Sequence, residues 1–302
     1  MLSRIKRGAG HRTALHLLAV LTLTTLISGC QSSMTLDDPI ASLRCLGYLD
    51  DVSMTRQQVD YIRARSDIGD VTCKTWLAGM YANGSGVDQD IPKAKALYLE
   101  LAGVSEQAYY FLGDIAESGA DGPPDYVKAR QFYRRAMVGK GSPRAETRLA
   151  KLMEDGKGGP QDLEGALALY LYSTKPSEET WGGIQRVRAR GVTLTDEQVQ
   201  RYNQLWVGGT KGRLKRKMWR VQDKLAETFK PRPAGNETTV KIEYLQGSIV
   251  PRLSIVNSSG DSALDQAVLQ GLADFRFKDG PILPQGRDTW AALADVSVGS
   301  HR

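Results

Sequence analysis

The chain has 302 residues, 41% apolar and 25% charged, room for one large or two ordinary domains of a globular protein. Its formal charge of +6 comes largely from Arg4, Lys6, Arg7 and Arg12, which no acid offsets before residue 30; without them 36 basic residues face 34 acidic ones, too even a balance to argue for nucleic acid. Only His11, His16 and His301 are present, and neither Gly84-Ser85-Gly86 nor Gly208-Gly209 has the sequel of a phosphate loop. Histidine-based metal or nucleophile chemistry therefore has almost no raw material, and no metal, cofactor, nucleic acid or small-molecule substrate is expected.

Basic residues open the chain, and a largely apolar run follows from Ala14 to Ile27, too short to span a bilayer. Leu26-Ile27-Ser28-Gly29-Cys30 then resembles a lipobox. That resemblance implies a signal peptide over 1–29, a lipidated Cys30, a tether over 30–36 and anchorage in a membrane; an ordinary signal with a chance cysteine is the alternative. Gln31 and Ser32, where retention signals carry Asp, favour the outer membrane, facing the periplasm. In that oxidising space the remaining pair, Cys45 and Cys73, is expected to form a disulfide.

A helical domain is expected over 37–206. Asp37-Asp38 before Pro39 is read as one helix start, and Thr55 to Arg65 as a second helix. Three segments then align, beginning at Trp76, Phe111 and Arg148. The matched columns are Leu77, Leu112, Leu149; Gly84, Gly119, Gly156; Asp90, Asp125, Asp162; Ala94, Ala129, Ala166; and Tyr98, Tyr133, Tyr170. Leucine marks a buried face, with Ala78, Gly113 and Ala150 permitting close helix approach. Glycine ends the helix through positive φ, and aspartate caps the next one. Alanine and tyrosine four apart share a face there, the tyrosine as core filler. Such pairs must stack to bury their stripes. The pattern resembles the Sel1-like repeat, a relative of the tetratricopeptide repeat, over about 73–175, which implies a scaffold that binds protein partners. Residues 177–206 read as a degenerate fourth pair, with Thr195 to Gln198 opening its last helix.

Val207 to Gly212 reads as a break before a second domain, 207–302. A basic helix is expected from Arg213 to Phe229, its stripe Leu214, Met218, Val221, Leu225 and Phe229, its cations Lys211, Arg213, Lys215, Arg216, Lys217 and Arg220. The period then shifts to two: Val240, Ile242, Tyr244, then Ile249, Leu253, Ile255, a hairpin turning at Gln246-Gly247-Ser248. Ser258-Ser259-Gly260-Asp261 starts a helix carrying Leu264, Ala267, Val268, Leu272 and Phe275, and 288–298 returns as a strand. Ser258 and Ser259 are read as caps, and Asp265 as a first-turn dipole partner.

Ser258, Ser259, Gly260, Leu264, Asp265 and Ala267, with Phe277 and Pro281, resemble the carboxy-terminal domain shared by TonB and TolA. The resemblance implies protein binding, often by strand addition. The expected fold is thus an α-solenoid of helix-pair repeats followed by a small α+β domain of helix, β-hairpin, helix and strand. The expected function is a non-enzymatic, lipid-anchored adaptor docking envelope proteins; the alternative is an envelope-polymer binder using the basic helix 211–224. Asp37-Asp38 and Asp50-Asp51 could serve acid–base chemistry, but helix capping suits them better.

Overall fold

Within each repeat two helices are joined by a tight glycine turn, and the three turns are closed by the same two devices. The computed structural model describes residues 38–48, 54–138, 142–230 and 237–298. Cys30 with its signal and tether, Asp37, Asp50-Asp51 and His301 lie outside these residues. From Ile40 onward the chain forms a single unit. It opens with α1 (Ala41–Gly47) and α2 (Arg56–Asp67), the latter started by a reciprocal cap between Thr55 and Gln58. The first helix does not start at the acidic pair: Pro39 and Ile40 make a turn, and Ala41 begins α1 without a side-chain cap.

The repeats are α3 (Val71–Asn83) with α4 (Ile91–Leu101), α5 (Glu106–Ser118) with α6 (Tyr126–Ala136), and α7 (Pro143–Asp155) with α8 (Leu163–Leu171). Gly84, Gly119 and Gly156 close the first helix of each pair at φ of 73°, 71° and 69°, where a side chain would be strained. Asp90, Asp125 and Asp162 cap the second helix, accepting from the amides of Lys93, Lys128 and Gly165. Each of these aspartates also donates its amide to a carbonyl of the preceding helix, on Tyr81, Ala116 and Met153. Leu77, Leu112 and Leu149 are buried, as are Ala94, Ala129 and Ala166, each alanine in one core cluster with Tyr98, Tyr133 or Tyr170 of its own helix. Close approach is literal at Gly113, where a Cβ would stand 2.5 Å from the Tyr133 ring.

A fourth pair follows: α9 (Glu178–Ala189) and α10 (Asp196–Ala226), the latter capped by Thr195 with Gln198. Here the break expected at 207–212 is absent. α10 runs unbroken for 31 residues, through Gly208, Gly209 and Gly212. Each glycine costs a helix interior about 1 kcal/mol relative to alanine. The cost is offset because α10 buries one stripe in two cores: Tyr202 in that of the last repeats, and Trp206, Leu214, Val221 and Leu225 in that of the sheet. A helix interrupted at the glycines would lose one anchorage or the other.

The sheet has order β2-β1-β3, all antiparallel, from β1 (Glu237–Leu245), β2 (Arg252–Asn257) and β3 (Thr289–Ser297). Val240 pairs with Ile255 on one side and Ala294 on the other. One face packs on α10 and α11 (Ser262–Leu272) through Val240, Ile242, Tyr244, Ala294 and Val296. β2 is shorter than its alternation suggested: Ile249 lies in the loop, half-exposed, and the strand starts after Pro251, which has no amide to give.

Candidate functional site

A three-stranded sheet with β1 at its centre leaves the outer edges of β2 and β3 without a strand among the described residues. Along β3, Ala294 and Val296 are buried against the helices, whereas Ala291, Leu293 and Asp295 face outward. Leu293 is 61% exposed. Beside this strand runs the second half of α10, and the two enclose a groove of about 700 Å³ lined by Lys211, Lys215, Trp219, Trp290 and Leu293. Trp219 is itself 47% exposed, with the Lys215 ammonium 4.9 Å from its ring centroid. An apolar floor, two lysines and an open strand edge are the parts that an extended peptide of acidic and apolar residues could use.

The predicted cations of α10 divide by position. Lys211, Lys215, Arg216 and Arg220 are exposed, Lys217 is bound to Asp274 at 2.5 Å, and Arg213 turns inward toward α9. Leu264 and Ala267 hold α11 to the sheet core, and Gly260 turns at φ 79°.

The motif before α11 works differently from the expected caps. Asp261 caps the helix, accepting from the amides of Ala263 and Leu264. Ser258 and Ser259 instead serve Asp265, which lies in the first turn of α11 as expected and is also a buried carboxylate. Its Oδ1 accepts from Thr238 Oγ1 at 2.7 Å and from Ser259 N and Oγ at 3.0 and 2.9 Å, and its Oδ2 from Ser258 Oγ at 2.6 Å. Burial pushes this carboxyl's pKa up, the donated hydrogen bonds outweigh that, and the result is about 2. Asp265 therefore ties the start of α11 to β1 and the exit of β2.

In the solenoid, the disulfide between Cys45 and Cys73 joins α1 to α3, and Ser42 Oγ donates to Asp70 alongside it. Two further joints were not read from the sequence. Tyr133 donates to Glu117 at 2.6 Å, and Arg148 of the next repeat reaches Glu117 and Asp114, both at 3.3 Å. One repeat on, Tyr170 donates to Glu154 at 2.9 Å, and Arg186 grips both oxygens of that fully buried carboxylate. Burial first, then the carboxylate hydrogen bond, drives both tyrosines' pKa values upward. The signal was present in the alignment: Glu117 and Glu154 occupy one column, in which the first repeat has Ala82.

Among the described residues no cluster of histidine, cysteine and acidic side chains could hold a metal, and no helix is long and apolar enough to cross a membrane.

Comparison with known proteins bears on the solenoid. The Sel1 repeat family matches residues 73–102, 106–136 and 143–174, so the chain carries three Sel1 repeats, units that mediate protein–protein interaction. A protein of Rhizobium leguminosarum bv. viciae, described as an exopolysaccharide production negative regulator, is 34% identical over 166 residues, 48% of this chain. The match covers 62% of that relative's length. A Sel1 repeat protein from Oxalobacter formigenes has 27% identity and a TM-score of 0.38, over 44% of this chain and 99% of its own. A protective antigen of uropathogenic Escherichia coli with an SLR fold has 18% identity and a TM-score of 0.37, over 51% and 36% respectively.

Proposed function

We propose that this chain is a non-enzymatic adaptor of the bacterial envelope, with two docking modules on one lipid-anchored body. The lipobox motif supports lipidation of Cys30 and an outer-membrane, periplasm-facing location. The Sel1 repeats dock one protein. The helix–sheet module, similar in motif to the TonB and TolA carboxy-terminal domains, docks another by accepting a strand on β3. The observation that carries this reading is the open β3 edge beside a lysine- and tryptophan-lined groove. The relative's description, a negative regulator of exopolysaccharide production, supports a role for the complex in that process. Two modules on one body raise the effective concentration of each partner for the other.

The test is a photo-crosslinking side chain placed at Leu293 on β3 or at Val256 on β2, in the full-length chain in its native envelope. A discrete protein adduct from Leu293, not from Val256, and weakened by Lys211→Glu with Lys215→Glu, is the expected result. Equal adducts from both edges would refute strand docking at β3. Radiolabelled palmitate on the native chain but not on Cys30→Ser checks the anchor.

A second reading is binding of an anionic envelope polymer, favoured by the exposed Lys211, Lys215, Arg216, Arg220 and Lys224. It would show as retention on the cell wall that salt abolishes.

A further inference from the structure

A second cleft lies where the repeats meet the sheet module, on the side of α10 that faces α9. Its volume is about 480 Å³, within the range of small-molecule sites. Trp181 and Ile184 wall it on α9, and Gly208 and Gly209 line it on α10. A Cβ on Gly208 would meet nothing within 4 Å, so this stretch of helix leaves open space where a side chain would stand.

Arg213 closes one end. Its Nη2 donates to Thr210 Oγ1 at 3.0 Å, whereas its Nε is buried and has no acceptor among the described residues. Its Nη1 lies 3.5 Å from where a Gly209 Cβ would be, over the glycine surface of the cleft. Burial lowers the pKa of this guanidinium, with nearby Glu178 and Asp279 working the other way and Arg216 adding to the lowering. Glu178, the acid lining the cleft, is already bound to Lys278.

Lys278, which also lines the cleft, opens a segment that is strapped down: Trp206 Nε1 donates to the Lys278 carbonyl, Tyr202 Oη to the Gly280 carbonyl, and Asn203 exchanges two hydrogen bonds with Ile282. Trp181 Nε1 donates to Asp279 Oδ2 at 2.6 Å. Asp279 holds φ at 57°, a conformation costly for a residue other than glycine and kept where surrounding contacts impose it.

We propose that this cleft binds a small organic carboxylate with a ring-sized apolar body, the carboxylate on Arg213 and the body between Trp181 and the Gly208–Gly209 surface. A partly dehydrated guanidinium gains more from a carboxylate than one in water does, and an aromatic wall opposite bare helix backbone favours a flat group. The occupant would touch α9 and α10 together, at the seam of the two modules.

The test is calorimetric titration of the full-length chain with 2-naphthoate and with its neutral isostere 2-naphthamide. Naphthoate is expected to bind once per chain and to outcompete the amide by about tenfold or more, the scale of one charge-assisted contact. Arg213→Gln should erase that preference. Gly208→Leu should abolish binding of both probes while leaving Tm unchanged or raised, since leucine favours helix and enters open space. The proposal is overturned if naphthoate shows no saturable binding, if the amide binds equally well, or if Gly208→Leu binds like the native chain.

Discussion

The first repeat shows how the second could be rebuilt. Where Glu117 receives Tyr133 and Arg148, the first repeat has Ala82, and the Tyr98 hydroxyl is buried without an acceptor among the described residues. In the column of Arg148 stands Phe111, whose ring stacks on Tyr98 at 4.8 Å with 16° between planes. One joint is thus ionic and the other aromatic. Glu117→Ala removes a buried tyrosine's acceptor and one of Arg148's two carboxylates. The stranded hydroxyl and lost charged hydrogen bond would cost about 3 kcal/mol at full burial. Arg148 keeps 38% exposure and retains Asp114, so its share is discounted, and the expectation is about 2 kcal/mol. Adding Arg148→Phe supplies the stacking partner of the first joint, about 1 kcal/mol. Urea unfolding of the two single variants and the double variant, closed as a double-mutant cycle, reads the coupling directly. The double variant should be more stable than Glu117→Ala alone. If Arg148→Phe lowers stability further in the Glu117→Ala background, the two joints are not interchangeable and the reasoning fails.

Three other outcomes follow from the same geometry. Asp265 has a pKa of about 2 in the fold against 3.8 ordinarily, so its contribution is fully present above the ordinary value and lost as pH falls from about 4 toward 2; comparing urea midpoints across that window, native protein should lose stability that Asp265→Asn does not. Serine at both Cys45 and Cys73, 28 positions apart, should cost about 3.5 kcal/mol in the chain-entropy account, with hydrogen-exchange protection falling first in α1 to α3. Gly113→Ala forces a Cβ to 2.5 Å from a buried ring and should lower stability by about 1–3 kcal/mol, whereas alanine at Gly208 should be neutral or favourable, both read from Tm.

The repeats were legible because their determinants are local. Glycine at positive φ, aspartate at an N-cap and an alanine–tyrosine pair on one face recur at fixed spacing, and each acts within a few residues of itself. The strand β1 was legible for the same reason, through alternation. Gly208 and Gly209 misled because glycine reports local preference, while the helix there is held by Trp206 and Leu214 in a core assembled from residues up to 298. Asp265 was legible only in part: its place in the first turn is local, whereas Thr238 donates to it from 27 residues upstream. The groove on β3 could not be read from the sequence at all, since it depends on which strand occupies the centre of the sheet.

α10 spans about 46 Å as one rod, at 1.5 Å per residue. It is both the last helix of the solenoid and the first of the sheet module, so the two share a rotational phase as well as a distance. One residue inserted near Gly209 would turn the downstream half of α10 by about 100°, out of phase with Tyr202, Asn203 and Trp206, which hold the sheet module from upstream of that point. The helical register of α10 therefore couples the two modules, and a seven-residue insertion, which restores the angle to within about 20° while lengthening the rod by about 10 Å, would separate phase from distance.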